Sequence, residues 1–250
     1  MQIDQLEQHV TAALRPSPAM IAAMPLSDNA TIAGELLPGG ARRLLDIGCG
    51  AGKFTRLMAQ RGMRATGIDP KEDEIAQARE LAAKAGLQID FQTGRAEALA
   101  FADRTFDIVV FSNSLHHMSD SRQALAEAVR ALAPGGSLYV MEPVAWGSYH
   151  DATKLVNDES ALREAAYRAL LAFAAEGALR LETERLYKVR RLFARYEDWM
   201  EDQVARNEKR QRLFAESGPA IRAAFENAAR REQEGLSLDQ IFRIDLLLKR

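Results

Sequence analysis

From about residue 41 to residue 142 the chain alternates short apolar runs with longer stretches of helical period. The apolar runs predict strands at Arg43–Asp46, Ala65–Asp69, Gln88–Phe91, Phe106–Phe111 and Ser137–Met141. Between them the spacing predicts helices over Lys53–Gln60, Glu72–Ala85 and Ser121–Leu132. The last of these opens at Ser119-Asp120 and closes before Pro134-Gly135-Gly136. Strand, helix, strand in succession requires crossovers, and crossovers build a mostly parallel sheet with helices on both faces. A sheet of that kind offers its ligand site at the carboxyl ends of its strands, so the residues just after each strand are the ones to inspect.

Outside this block the pattern changes. Residues 1–40 predict an N-terminal helical cap: one helix, a link at Arg15-Pro16-Ser17-Pro18, and a second helix near Asp28–Leu37. The stretch Asp151–Gly177 has helical period, and Glu197–Glu234 is helical again with an interruption at Gly218-Pro219. Two late stretches, Thr183–Phe193 and Asp239–Leu248, are rich in β-formers and predict strands. The expected architecture is α/β: a doubly wound, mostly parallel seven-stranded sheet, antiparallel late strands and a helical lid. Its parts are the cap (1–40), the core (41–142), a helical insertion (143–182), and late strands with intervening helices that complete the same domain (183–250).

Composition narrows the function classes. The 250 residues carry 33 Lys+Arg against 35 Asp+Glu, a formal net charge of -2, which supplies no concentrated basic surface for nucleic acid or an anionic membrane. Acidic residues interleave with the basic ones throughout Glu197–Glu234, as on a solvated helix face. One Cys excludes an internal disulfide framework and a multi-cysteine zinc site. No apolar run approaches the roughly 18 residues that predict a membrane span, and Met1–Glu7 lack a basic start, so a cytoplasmic protein without membrane insertion is expected.

The strongest local signal is Leu44-Leu45-Asp46-Ile47-Gly48-Cys49-Gly50-Ala51-Gly52-Lys53-Phe54, where an apolar strand runs into three alternating glycines and then a helix. Without a Cβ, the backbone there can turn sharply and approach a ligand closely. A P-loop would need Gly at position 47 and Ser or Thr at 54, where Ile47 and Phe54 stand. A dinucleotide fingerprint would need its third Gly at position 53, where Lys53 stands. The remaining pattern is G-x-G-x-G after an acidic residue.

That pattern, Leu45 to Gly52, resembles the first motif of the class I S-adenosylmethionine-dependent methyltransferases. Gly67-Ile68-Asp69-Pro70 resembles the acidic end of the family's second strand. Gly94 to Phe101 with Thr105 to Val109 resembles its passage from third strand to fourth, Ser112-Asn113-Ser114-Leu115-His116-His117-Met118 the exit of the fourth, and Arg130 to Leu138 the turn into the fifth. The likeness is to the small-molecule branch that contains the quinone-biosynthesis methyltransferases.

The resemblance implies S-adenosylmethionine as cofactor, S-adenosylhomocysteine as product and a small-molecule acceptor methylated at O, N or C. It implies a cofactor site built from Asp46, Gly48, Cys49, Gly50, Gly52, Asp69, Pro70, Ala96, Glu97, Ser112 and Asn113. Asp46 would hold the ammonium group and Asp69 the ribose diol. Arg95 stands where the family often has an acidic residue; lacking an acceptor, it cannot take the adenine amino group, which leaves the backbone of Ala96 to read the ring edge, with Ile68 and Leu99 on its faces.

The general base stays open among His116, His117, Tyr149 and His150; Trp146, Tyr149 and His150 also stand where a substrate wall belongs. No metal is expected, because adjacent histidines point differently and no third ligand is evident near them. Two other readings remain at this stage: a cofactor-binding module without methyl transfer, and an NAD-dependent oxidoreductase, which Lys53 argues against.

Overall fold

A computed structural model describes residues 16–37, 42–205 and 208–250. Eight strands are present: β1 Arg43–Ile47, β2 Arg64–Asp69, β3 Asp90–Thr93, β4 Phe106–Ser112, β5 Leu132–Pro143, β6 Leu179–Phe193, β7 Arg230–Glu232 and β8 Gly235–Lys249. The helices are α1 Pro18–Ala23, α2 Asn29–Leu36, α3 Lys53–Gln60, α4 Glu72–Lys84, α5 Ser121–Ala131, α6 Ser148–Thr153, α7 Ser160–Ala175, α8 Tyr196–Val204 and α9 Glu208–Ala228. The sheet runs β3-β2-β1-β4-β5-β8-β6, and β7 pairs β8 off this path. The first five strands pair in parallel, whereas β8 lies antiparallel to both β5 and β6. It is the open, doubly wound, seven-stranded sheet that the alternation predicts, with a short extra strand.

Strand alternation explains the two-sided core, because successive side chains point to opposite faces. Leu45, Ile47, Val109, Phe111, Leu138, Val140 and Leu247 pack with α5 and α7 through Ala124, Leu125, Ala166 and Leu170. The intervening positions Leu44, Ile108, Val110, Tyr139, Met141, Ile244 and Leu246 face α2 and α3 through Ile32, Ala33, Phe54 and Met58. Burying each such side chain stabilises the fold by about 1.5–3 kcal/mol, so β1, β4 and β5, apolar on both faces, anchor the molecule. On the first face α7 is tied to the late strands by polar contacts as well: the buried Arg243 guanidinium lies 3.3 Å from the Tyr167 ring centre, and Tyr167 donates to Glu184 at 2.6 Å.

Some elements differ from the pattern reading. The third strand begins at Asp90, two residues after Gln88, and β6 begins at Leu179, four before Thr183. Part of the link after Arg15 is helical: α1 starts at Pro18, where the missing N–H costs nothing, and Ser17 caps it by accepting from the Met20 N–H at 3.2 Å. The helix expected before that link lies outside the described residues. The end of the stretch to Glu234 is not helical, since Arg230–Glu232 folds back on β8 as a hairpin. The interruption expected at Gly218-Pro219 is present: Ser217 leaves helical geometry, and a second helical segment continues α9 beyond the kink.

A third, smaller cluster joins α6, α8 and α9 to β8: Ala152, Val156, Tyr196, Trp199, Ile221, Phe225 and Leu238. Trp199 is wholly buried at its centre, with ring centres of Tyr196, Phe214 and Phe225 at 5.7, 5.9 and 4.8 Å. We expect Trp199→Ala to cost about 3–5 kcal/mol in urea unfolding. Hydrogen exchange should show the loss first in α8 and α9, because their packing on the sheet runs through this side chain.

Candidate functional site

A cavity of about 1080 Å³ opens at the carboxyl ends of β1, β4 and β5 and is roofed by the insertion helices and by β6 and β8. Its floor is the glycine loop. Gly48, Gly50 and Gly52 all adopt positive φ, at 71°, 50° and 73°. The Gly48 and Cys49 N–H groups donate to Ile68 O at 2.8 and 2.9 Å, and the Gly50 N–H donates to Asp69 Oδ2 at 2.9 Å. A Cβ at Gly50 would meet only Glu74 Oε2, at 3.6 Å, so that position borders open space. At Gly52 a Cβ would fall 2.6 Å from the Phe91 ring and 3.1 Å from Ala78; this glycine serves loop-to-sheet packing and does not line the cavity.

Asp46 is fully buried at the end of β1. Its Oδ2 accepts from Thr55 Oγ1 of α3 at 2.6 Å, while its Oδ1 has no hydrogen-bond partner among the described residues. Burial pushes this carboxyl up to about 7, against the Thr55 hydrogen bonds that lower it. A buried carboxylate with an unused oxygen beside a cavity is a receptor for a cationic group. Asp69 ends β2, beside the cavity and outside its lining. Its carboxylate accepts from the Gly50 and Lys71 N–H groups, at 2.9 and 3.0 Å, and keeps lone pairs for a diol. Burial, then the Asp46 and Asp69 charges, push the Cys49 thiol far up, so it is inert at neutral pH.

The other predicted contacts divide. Ser112 and Asn113 line the cavity; Asn113 takes a left-handed turn at φ 57°, and its N–H donates to Met141 O at 2.8 Å. Pro70, Ala96 and Glu97 do not line it. Glu97 instead accepts from the Ser119 N–H at 3.0 Å and Ser119 Oγ at 2.6 Å, bracing the turn before α5. Arg95 donates to the same hydroxyl at 3.0 Å, which accounts for a residue the cofactor motif cannot use.

His116 and His117 sit in the short 3₁₀ turn Leu115–His117, anchored to the end of β1 by Ser114 Oγ donating to Ile47 O at 2.6 Å. Their rings are tilted by 45° to one another, with centres 3.9 Å apart. His116 is buried, its Nδ1 bonded to Glu142 of β5 and its Nε2 3.7 Å from Glu159 Oε2. Burial alone would lower its pKa, but the two carboxylates outweigh it and raise it to about 9. His116, one of the four open candidates for a base, is thus held as an imidazolium at neutral pH with both ring nitrogens engaged. The His116 hydrogen bond in turn holds Glu159 well below the usual carboxylate range. His117 is exposed to the cavity; partial desolvation there and the neighbouring His116 charge lower its pKa, and burial likewise lowers His150.

The expectation that no third ligand lies near these histidines needs correction. Glu159 arrives from the turn before α7, and donor atoms of His116, His117 and Glu159 all come within 4.8 Å of one another. The cluster is already charge-balanced: Arg163 bonds Glu159 at 2.5 Å and His116 carries a proton, so a cation must compete with both. Glu142, Glu159 and Arg163 have no motif of their own. The one signal for Glu142 was its place at the carboxyl end of a core strand.

A histidine whose folded pKa is raised contributes stability that is complete below its unfolded value, about 6.5, and is lost as pH rises through about 9. The difference in unfolding free energy between the native chain and His116→Gln should therefore be largest near pH 6 and shrink steadily towards pH 9.5. A difference independent of pH would contradict the ion-pair assignment.

A family model described as "Methyltransferase domain" matches residues 45–140. The ubiquinone biosynthesis O-methyltransferase of Idiomarina loihiensis is 36% identical over 99 residues, covering 39% of this chain and 41% of that protein. That of Sinorhizobium fredii is 39% identical over 98 residues, covering 39% and 40%. The chain thus spans about two fifths of the length of these curated relatives. Among solved structures, the YcgJ protein of Bacillus subtilis matches with a TM-score of 0.65 at 22% identity, over 88% of this chain and 97% of that one. The [4+2]-cyclase SpnF matches with a TM-score of 0.62 at 20% identity, over 99% and 94%. These last likenesses are of fold, and they extend well beyond the matched segment. Residues 45–140, which carry the glycine loop, Asp46 and Asp69, are the part of the chain that is similar to the methyltransferase-domain family.

Proposed function

We propose that the chain binds S-adenosylmethionine on the glycine loop and moves its methyl group to O, N or C of a small-molecule acceptor, in the cytoplasm. The observation that carries this reading is Asp46, a buried carboxylate with one unpartnered oxygen beside the backbone of Gly48 and Gly50. It suits an ammonium group, and the Asp69 carboxylate suits a ribose diol. The cofactor's sulfonium supplies an electrophilic methyl group. The chain's own task is alignment and exclusion of water, and alignment contributes roughly 7–11 kcal/mol in well-oriented systems. His117, neutral and facing the cavity beside Asn113, takes the acceptor proton where the acceptor still carries one at neutral pH.

Calorimetry of the folded protein should show micromolar binding of S-adenosylmethionine and S-adenosylhomocysteine and none of NAD; failure of both sulfur ligands to bind overturns the reading. Because Asp46 is most useful ionised, cofactor affinity should rise as pH increases through about 7. Asp46→Asn should flatten that dependence and weaken binding by about 1.5–3 kcal/mol, the worth of a hydrogen bond to a charged group.

Once an acceptor is in hand, His117→Gln should lower kcat by about a hundredfold or more if the acceptor needs deprotonation. Its cofactor affinity should stay within about twofold of the parent. A matching loss of cofactor binding would assign His117 to the binding site instead.

A further inference from the structure

The cavity lining as a whole carries an excess of basic side chains, two of them, Lys53 and Arg56, at the glycine-loop end. Lys and Arg outnumber Asp and Glu among the cavity-lining residues by six to three. The three carboxylates are all engaged elsewhere. Asp46 lies buried beneath the glycine loop; Asp28 caps α2 by accepting from the Thr31 N–H at 2.9 Å; Glu159 is held by Arg163 and His116. Arg190 is neutralised by Asp239 at 3.0 Å.

Arg191 is different. Among the described residues it has no carboxylate within ion-pair distance. Its Nε and Nη2 donate only to the neutral Gln240 Oε1, at 3.2 and 3.1 Å, and its guanidinium lies over the Tyr149 ring at 5.6 Å. Tyr149 is fixed in turn: its hydroxyl accepts from Nε2 of the buried Gln203 at 3.3 Å, and Gln203 Oε1 accepts from Arg210 at 2.9 Å. Arg191 is thus a guanidinium on the cavity lining, held by neutral partners and with N–H groups to spare. The unsatisfied atoms of the cavity's upper wall have the same sign. Trp146 Nε1 and Arg163 Nε are buried donors with no acceptor among the described residues, and the unsatisfied acceptor, Asp46 Oδ1, belongs to the glycine-loop end. Buried donors left without acceptors cost free energy unless a ligand satisfies them.

We propose that the acceptor molecule is a carboxylate, held in the cavity by Arg191, with Trp146 Nε1 and Arg163 Nε as further donors. A planar carboxylate matches a guanidinium fork with two parallel hydrogen bonds, which a neutral amide cannot reproduce. Bound so, the acid sits against the Tyr149 face and directs the rest of the molecule towards Asn113 and His117, where methyl transfer is placed. The inference rests on the methyltransferase reading for that last step alone; the anion site stands on its own geometry.

The test uses the full chain, preloaded with S-adenosylhomocysteine and also without it. Benzoate, phenylacetate and octanoate are each titrated beside their own primary amides and followed by saturation-transfer NMR and calorimetry. At least one acid should bind tenfold or more tightly than its amide, with affinity falling as salt rises. Arg191→Gln should remove that preference while S-adenosylhomocysteine affinity stays within twofold. Because Arg191 is exposed, this variant should keep the parent's melting temperature. Equal binding of acids and amides, no binding by any of the acids, or a preference that survives Arg191→Gln overturns the proposal. Failure of S-adenosylhomocysteine to bind would instead overturn the methyltransferase reading, and the acid-over-amide comparison on the unloaded protein would still report on Arg191.

Discussion

The site depends on the placement of β1 between β2 and β4, with apolar side chains covering both of its faces. A central parallel strand cannot end in water at that point; its last residues are buried by the same packing that makes it central. Asp46 is therefore forced out of solvent, satisfied on one oxygen by Thr55 and left open on the other. The glycine loop is the second consequence. After Ile47 the chain must turn at once into α3, and the positive φ values at Gly48, Gly50 and Gly52 permit that turn while holding the Gly50 N–H against Asp69.

Further from the sheet, the electrostatics divide the cavity into two regions of opposite character. At the glycine loop an acceptor is left unsatisfied; at the roof the unsatisfied groups are donors and one guanidinium has only neutral partners. His116, Glu142 and Glu159 form an ion-paired set beside them, to which Arg163 is joined through Glu159 while its Nε stays among the unsatisfied donors. Breaking one member of such a buried set leaves an uncompensated charge, which is why the set is rigid. It fixes the turn that carries His117 and Asn113, and it joins β5 to α7 across the cavity wall. The small aromatic cluster around Trp199 does the same for the opposite wall, setting the position of Gln203 and through it Tyr149.

The strands and helices of the core were legible because their signals are local. Period-two and period-3.6 patterns, the Asp120 cap of α5 and the alternating glycines act within a few residues. Where the pattern reading failed, the deciding contact is not local: Arg230–Glu232 is polar and short, and only pairing with β8 makes it a strand. Glu97, which the motif offers as a cofactor contact, takes three donors from the Ser119 turn on one carboxylate oxygen, a pairing that no local pattern shows.

By itself the sequence determined the parallel core, the glycine loop and the two acidic residues that end β1 and β2, because turn sterics and strand periodicity are properties of neighbouring residues. Tertiary structure alone decided that His116 is a buried cation and His117 the neutral partner. It also brought Glu159 to a pair of histidines that lacked a third donor, and it left Arg191 on the cavity lining with no carboxylate partner among the described residues. Those outcomes are set by burial and by contacts between residues far apart in the chain, and the energy of a charge depends on what surrounds it rather than on where it stands in sequence.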